Sequence, residues 1–315
     1  MEGGVGDLVG RCASLAALLE VSAYPKPGNV HRLRDFPGTS YEHFLAASVS
    51  MMPWMRDLAG RSSLIKAGGG DWGGLGMGGS ILGAVEEMLA WQRGGNVHLG
   101  VILLFSPIAA AAGAVAEGGV VEPFKLRASI REIIGAAAPQ DAVDIYKAIG
   151  MAMSRENLGD VDELDVTDPV SLDYILKHGI TPHDIFETCS GRDSICSEWV
   201  TGFNIVVSEG YGHLAEHLSR GVSVNDSVVN TFLCLLSEHP DSLIQRKRGP
   251  EAARTVSERA QSILDAGGAA SDRGRCMLIE LDEELQRTNG ALNPGTTADL
   301  TAASLFVLLL TGWRP

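Results

Sequence analysis

The 315-residue sequence predicts an all-α fold, a single multi-helix globular domain over residues 1–315 with glycine-rich loops. Three observations carry this. Apolar residues recur at three-to-four spacing in segment after segment, and helix start signals stand ahead of several of them. Only Val101–Phe105 and Phe203–Val207 look strand-like, and each lies inside a longer helical pattern.

Taken in order, the first helix is marked by Leu8, Cys12, Leu15 and Leu19. Thr39 with Glu42 offers a capping box for the next. Between Ala67 and Gly79 the run AGGGDWGGLGMGG holds eight glycines, more than a regular element tolerates, and reads as a loop near the surface or near a ligand. Ile81, Val85, Met88 and Gln92 resume the helical spacing. The uncharged run from Val97 to Ala116 contains His98, Ser106 and Pro107 and reads as a buried helix, since a spanning one wants about 20 mostly apolar residues. Leu126, Ile130, Ile133 and Ala137 mark another. The acidic stretch from Glu156 to Asp168, with Asp160, Asp162, Glu163 and Asp165, is irregular. Asp168-Pro169 and Thr181-Pro182 each put a capping side chain before a proline suited to a first helical turn. Val228, Phe232 and Leu235, then Val256, Ala260 and Ile263, then Leu278, Leu281 and Leu285 continue the pattern to the apolar C-terminal run.

Composition excludes several functions. With 25 Lys and Arg against 39 Asp and Glu, the net charge of −14 argues against a nucleic-acid partner, which needs a basic face. A hydrophobic share of 45 % excludes intrinsic disorder. Cys12, Cys189, Cys196, Cys234 and Cys276 form no CxxC pair, so neither a disulfide framework nor a cysteine zinc site is expected. The N-terminus lacks a signal-peptide pattern, and the expected setting is a reducing cytoplasm with no membrane partner.

Four segments carry candidate chemistry. EVSAYPKPGNVHR, residues 20–32, displays Lys26, Asn29 and His31 on a backbone stiffened by two prolines, either as a plain helix-ending loop or as a phosphate grip. RGGNVHLG, residues 93–100, puts Asn96 and His98 at the entrance of the buried helix, where Asn96 could equally cap it. In PDSLIQRKRG, residues 240–249, Asp241 precedes Arg246, Lys247 and Arg248, a cation cluster out of character for so acidic a chain. An anionic ligand would explain it, with Asp241 holding a divalent cation. In LNPGTTADL, residues 292–300, Gly295, Thr296 and Thr297 open the last helix with free N–H groups and hydroxyls, and Asp299 lies in its first turn.

Together the segments resemble the triphosphoribosyl-dephospho-CoA synthase family. The resemblance rests on SAYPKPG at 22–28, the asparagine-x-histidine of GGNVHLG at 94–100, the aspartate and basic stretch at 241–248, and NPGTTADL at 293–300, in the family's order. Citrate-lyase-associated members read like GGVNTHKG, DTNxxxRGG and SPGGSADL there. Leu99, the DSLIQRKRG segment, Asn293 and Thr296-Thr297 depart from that pattern, so the chain looks like the archaeal-type branch.

The resemblance implies transfer of the 5-triphosphoribosyl group of ATP to the 2′-hydroxyl of 3′-dephospho-CoA, with adenine as leaving group and Mg²⁺ as cofactor. An oxocarbenium-like centre of this kind needs a base for the hydroxyl and a polar partner for the departing adenine. The implied roles are phosphate contacts from Lys26, Arg246, Lys247 and Arg248, and Mg²⁺ or base duty at Asp241 and Asp299. Asn96 and His98 would orient ribose or adenine, His31 and the Gly295–Thr297 turn would complete nucleotide binding, and Asp71 and Asp35 stand in reserve as second carboxylates. Alternatives are a sister transferase with another acceptor, a Mg-dependent N-glycosidic hydrolase and a non-catalytic nucleotide-binding regulator.

Overall fold

A computed structural model describes residues 4–153 and 169–315. Its helices are α1 (Val5–Ser22), α2 (Tyr41–Ser50), α3 (Met52–Gly68), α4 (Met77–Trp91), α5 (Leu99–Val115), α6 (Pro123–Gly135) and α7 (Pro139–Ala152). After the gap come α8 (Pro169–His178), α9 (Pro182–Cys189), α10 (Ser194–Thr201), a π-helical turn (Ile205–Gly210), α11 (Tyr211–Ser219) and α12 (Val224–Glu238). The chain closes with α13 (Ser242–Arg248), α14 (Pro250–Asp265), α15 (Asp272–Gln286) and α16 (Gly295–Leu310). No strand occurs among the described residues, only isolated bridges such as His31 with Arg34. The all-α expectation holds.

Two helices form the centre. α5 and α16 are apolar on every side, which is the pattern of an element surrounded by protein. Leu99 and the run Val101–Gly113 are buried in α5, as are Thr296–Ala298 and Leu300–Leu310 in α16. They pack against each other, and the Phe105 and Phe306 rings meet with centroids 4.7 Å apart. α1, α3 and α4 cover α5, while α1, α11 and α12 cover α16. The alanine-rich second half of α5 packs by backbone approach: a Cβ on Gly113 would lie 2.1 Å from the Ala59 carbonyl oxygen of α3. Both central helices begin at the same end of the molecule, at His98 and Pro294.

Several local expectations are corrected. Ser40, rather than Thr39, precedes α2, and its N–H donates to His43 Nδ1 at 2.9 Å, so Glu42 is not the boxing partner. By contrast, the helical reading holds at the two strand-like stretches: Val101–Phe105 lies within α5, and Phe203–Val207 runs into the π-helical turn. The glycine-rich run is mostly structured: α3 continues to Gly68 and α4 begins at Met77, because Gly78 lets α4 settle on the backbone of Asp141, 2.3 Å from where a Cβ would stand. Cys189 and Cys196 form a disulfide, a local link between α9 and α10 that cysteine spacing did not suggest. Thr181 caps α9 as expected, accepting from the Asp184 N–H. The acidic stretch with Asp160, Asp162, Glu163 and Asp165, and the Asp168 cap, lie outside the described residues.

Candidate active site

A cleft of about 1080 Å³ opens where α5 and α16 begin. Its wall combines Glu20, Lys26 and Asn29, then Asn96, His98 and Gly100, then Asp193, then Arg246 and Lys247, and finally Thr296 and Asp299. All four sequence segments therefore meet in one place.

The 20–32 loop is shaped from outside the cleft. Buried Asp282 on α15 accepts hydrogen bonds from the Gly28 N–H at 3.0 Å and from His31 Nε2 at 3.2 Å, while Gln286 donates to the Asn29 carbonyl. Gly28 adopts φ +71° with a Cβ position 2.8 Å from Leu285, so only glycine fits this close approach. His31 accepts from the Leu33 N–H at Nδ1, is fully buried and does not line the cleft; it anchors the loop. Lys26 is 1 % exposed and its ammonium donates to the Glu20 carboxylate and, at 3.1 Å, to the Glu20 carbonyl. It is thus paired rather than displayed. Burial pushes the Glu20 carboxyl above its ordinary range, and the Lys26 charge opposes that shift.

Asp299 points the other way. No hydrogen bond from the described residues reaches its carboxylate, which packs over Gly100, where a Cβ would lie 2.0 Å from Oδ2. Burial, then the neighbouring Glu20, Asp241 and Asp193 carboxylates, push its pKa well above the usual carboxylate range, with Lys26 pulling against them. Two more acceptors in the wall lack partners: Nδ1 of His98 and Oδ1 of Asn293 are buried without a hydrogen bond. Buried unsatisfied polar groups are uncommon in folded proteins, and two of them beside the unpartnered Asp299 carboxylate suit a ligand rich in donors or cations.

Asp241 is placed differently from the expectation. It is 2 % exposed and absent from the cleft wall. Its Oδ1 accepts from the Leu243 and Ile244 N–H groups, capping α13, and its Oδ2 accepts from the N–H and hydroxyl of Thr297, both at 2.8 Å. Four donors occupy both oxygens, so Asp241 and Thr297 join α13 to α16 and neither faces the cleft. Thr296 does, accepting at Oγ1 from the Ser242 hydroxyl. Arg246 pairs with Asp193 at 2.9 Å, and Lys247 donates to the Gly290 carbonyl. Burial and the Arg246 charge lower the Lys247 pKa. Arg248 is exposed and lies off the cleft. Asn96 Oδ1 accepts from the Leu99 N–H at 3.1 Å, satisfying the first amide of α5, and its Nδ2 has no partner among the described residues. Asp71 caps a short turn through the Gly73 N–H, and Asp35 accepts from the Tyr41 N–H; neither lines the cleft.

Two wall carboxylates escaped the sequence reading. Glu20 opens the first quoted segment but reads as a surface residue at a helix end. Asp193 lies in the middle of the chain, where its Asp-Ser pair before an apolar run is the pattern of the cap it forms, accepting from Ile195 and Cys196.

The CitG family, described as ATP:dephospho-CoA triphosphoribosyl transferase, matches residues 7–315. The 2-(5''-triphosphoribosyl)-3'-dephosphocoenzyme-A synthase of Pectobacterium atrosepticum is 26 % identical over 307 residues, covering 91 % of this chain and 84 % of that protein. A Pseudomonas fluorescens relative named for the same synthase is 33 % identical over 106 residues, a match that spans 34 % of this chain and 36 % of the relative. A crystal structure of a triphosphoribosyl-dephospho-CoA synthase from Archaeoglobus fulgidus superposes with a TM-score of 0.63 at 26 % identity, covering 86 % of this chain and all of that one.

Proposed function

The chain belongs to the ATP:dephospho-CoA triphosphoribosyl transferase family, and from that premise we propose that its cleft moves the 5-triphosphoribosyl group of ATP to the 2′-hydroxyl of 3′-dephospho-CoA, releasing adenine. The observation that carries this reading is the pairing, in one cleft, of a hydrogen-bond-free carboxylate of raised pKa, Asp299, with a rim of cations, Arg246 and Lys247. A carboxylate whose pKa is raised by burial and neighbouring negative charge is a stronger base than an ordinary one.

The donor set fits Mg²⁺. One Asp299 oxygen and the Glu20 oxygen not paired with Lys26 would serve as hard ligands at the cleft, and their mutual repulsion is what a divalent cation relieves, leaving the second Asp299 oxygen free. Asp241 does not fit, because its oxygens are already occupied. When bound, Mg²⁺ would offset triphosphate charge beside an acidic protein.

The remaining roles fall to the chain's own groups. Arg246 and Lys247 bind phosphate oxygens at the rim. Lys26 holds Glu20 in place and tempers the negative field on Asp299. Asp299 accepts the proton of the incoming hydroxyl and later yields it to the departing adenine, to which Asn96 Nδ2, with its Oδ1 committed to the helix, donates a hydrogen bond as the glycosidic bond breaks. His98, lowered to about 4 by burial and then by the Lys26 charge, stays neutral and forms wall rather than acid.

The test is adenine release from ATP, followed by chromatography. Release that requires both dephospho-CoA and Mg²⁺, and stops in excess EDTA, supports the reading. Release without an acceptor would make the protein a hydrolase, and ATP binding with no release under any condition would make it a regulator.

A further inference from the structure

Away from the cleft, two histidines and two glutamates converge. Glu209 closes the π-helical turn and His213 follows it on α11, one helical turn later on the same face. Glu238 ends α12, and His239 is the residue after it. His213 Nε2 lies 3.1 Å from Glu238 Oε2, and His239 Nε2 lies 2.6 Å from Glu209 Oε2. The other Glu209 oxygen is steadied by Asn204 Nδ2 at 2.7 Å. One ligand atom each from Glu209, Glu238 and His239 fall within 4.8 Å of one another. None of the four lines the cleft, and the transfer reaction uses none of them.

We propose that His213, His239, Glu209 and Glu238 form a zinc-binding site that clamps the π-helical turn and α11 to the end of α12. Imidazole nitrogen with carboxylate oxygen is the donor class zinc takes when thiolates are absent. Tetrahedral zinc with bonds of about 2.0–2.2 Å sets neighbouring donors about 3.4 Å apart. Glu209, Glu238 and His239 already offer donors within 4.8 Å of one another, and His213, 3.1 Å from Glu238, is the ligand that must turn in to complete the set. Charge favours the ion as well. Two carboxylates face two imidazoles at the carbonyl end of α12, where the helix dipole attracts cations. The same negative surroundings act on Cys234 in the last turns of α12, whose thiol is pushed up to about 12 by burial first and then by Glu238 and Glu216. The four side chains are 25–44 % exposed, so an ion can enter without the cost of full desolvation. A second cluster, His183, Asp184 and Glu187, is weaker, because Asp184 already accepts from both the N–H and the hydroxyl of Thr181.

The proposal is tested on the full chain after chelator treatment, by calorimetric titration with Zn²⁺ in excess Mg²⁺. The expected result is one bound Zn²⁺ that raises the melting temperature. His213→Ala and His239→Ala should each weaken binding by about tenfold or more, the lower bound set by outer-shell losses at metal sites, while His183→Ala leaves it unchanged. Should the histidine variants not fold, Glu238→Gln, an exposed and nearly isosteric change, decides alone. Binding retained in the double histidine variant or in Glu238→Gln, loss in His183→Ala instead, or no Zn²⁺ binding by the native chain overturns it.

Discussion

His98 Nε2 stands 3.0 Å from Ser48 Oγ, and that hydroxyl donates its one proton to the Phe44 carbonyl at 2.7 Å. The hydroxyl can only accept from the ring, so His98 carries its proton on Nε2, and the lone pair on Nδ1 is the atom left without a partner. Phe44, edge-on to the imidazole with centroids 5.3 Å apart, fixes the ring plane.

Truncation at this pair should therefore register first as stability. His98→Ala is expected to cost about 1–3 kcal/mol for a lost buried hydrogen bond, and Ser48→Ala a similar amount, as read from denaturant melts. Turnover per folded molecule should fall far less than for Asp299→Asn. A large drop in turnover at an unchanged melting temperature would instead make His98 a catalytic group.

Asp299→Asn should behave in the opposite way. Turnover is expected to fall about 10²- to 10⁴-fold, the usual worth of a positioned base, while the melting temperature stays level or rises, since a carboxylate crowded by Glu20, Asp241 and Asp193 is removed. A clear loss of stability, with activity kept, would remove Asp299 from the reaction.

For Asp241 the expectation is structural. Asp241→Ala should destabilise by about 2–4 kcal/mol, combining a lost helix cap with two stranded donors at Thr297. The measurement is chemical unfolding, with Mg²⁺ affinity of the folded fraction as the second readout. Intact stability beside lost Mg²⁺ binding would return Asp241 to metal duty.

Acid titration offers a fourth measurement. His98 drops from an ordinary 6.5 to about 4 on folding, so between those values the unfolded chain binds more protons; its contribution is present above 6.5 and is lost as pH falls through about 4. Glu198, fully buried between the Ile205 and Val206 N–H groups, rises from 4.5 to about 7, so its contribution is present below 4.5 and is lost as pH rises through about 7. The two slopes oppose each other. His98→Gln should unmask the Glu198 slope, up to about 1.4 kcal/mol per pH unit, as a stability that falls with rising pH relative to the native chain. Parallel stability curves for the two proteins would contradict this.

Periodicity made the helices legible, and the order of the four segments led to the cleft. What it hid was direction. Asp241 before Ser242 carries the same sequence signal as any capping aspartate, and only the approach of Thr297 from 56 positions away along the chain shows that its oxygens are taken. Lys26 between two prolines reads as displayed, yet Glu20, six positions earlier, folds back to cover it. Glu20 and Asp193 carry no local mark of the contacts with distant elements that bring their charges to Asp299. Of the glycines in the 67–79 run, Gly78 serves close helix contact and Gly69 and Gly76 adopt the positive φ of the turns between α3 and α4, and none lines the cleft.

The cleft inherits an uneven stiffness from the two central helices. Its floor, with Gly100 and Asp299, is set in the first turns of α5 and α16, whose buried residues beneath them move only when the core itself opens. Arg246 lies on the seven-residue α13 and Asp193 caps the eight-residue α10, so local opening falls to the rim while Asp299 stays fixed on the core helix α16.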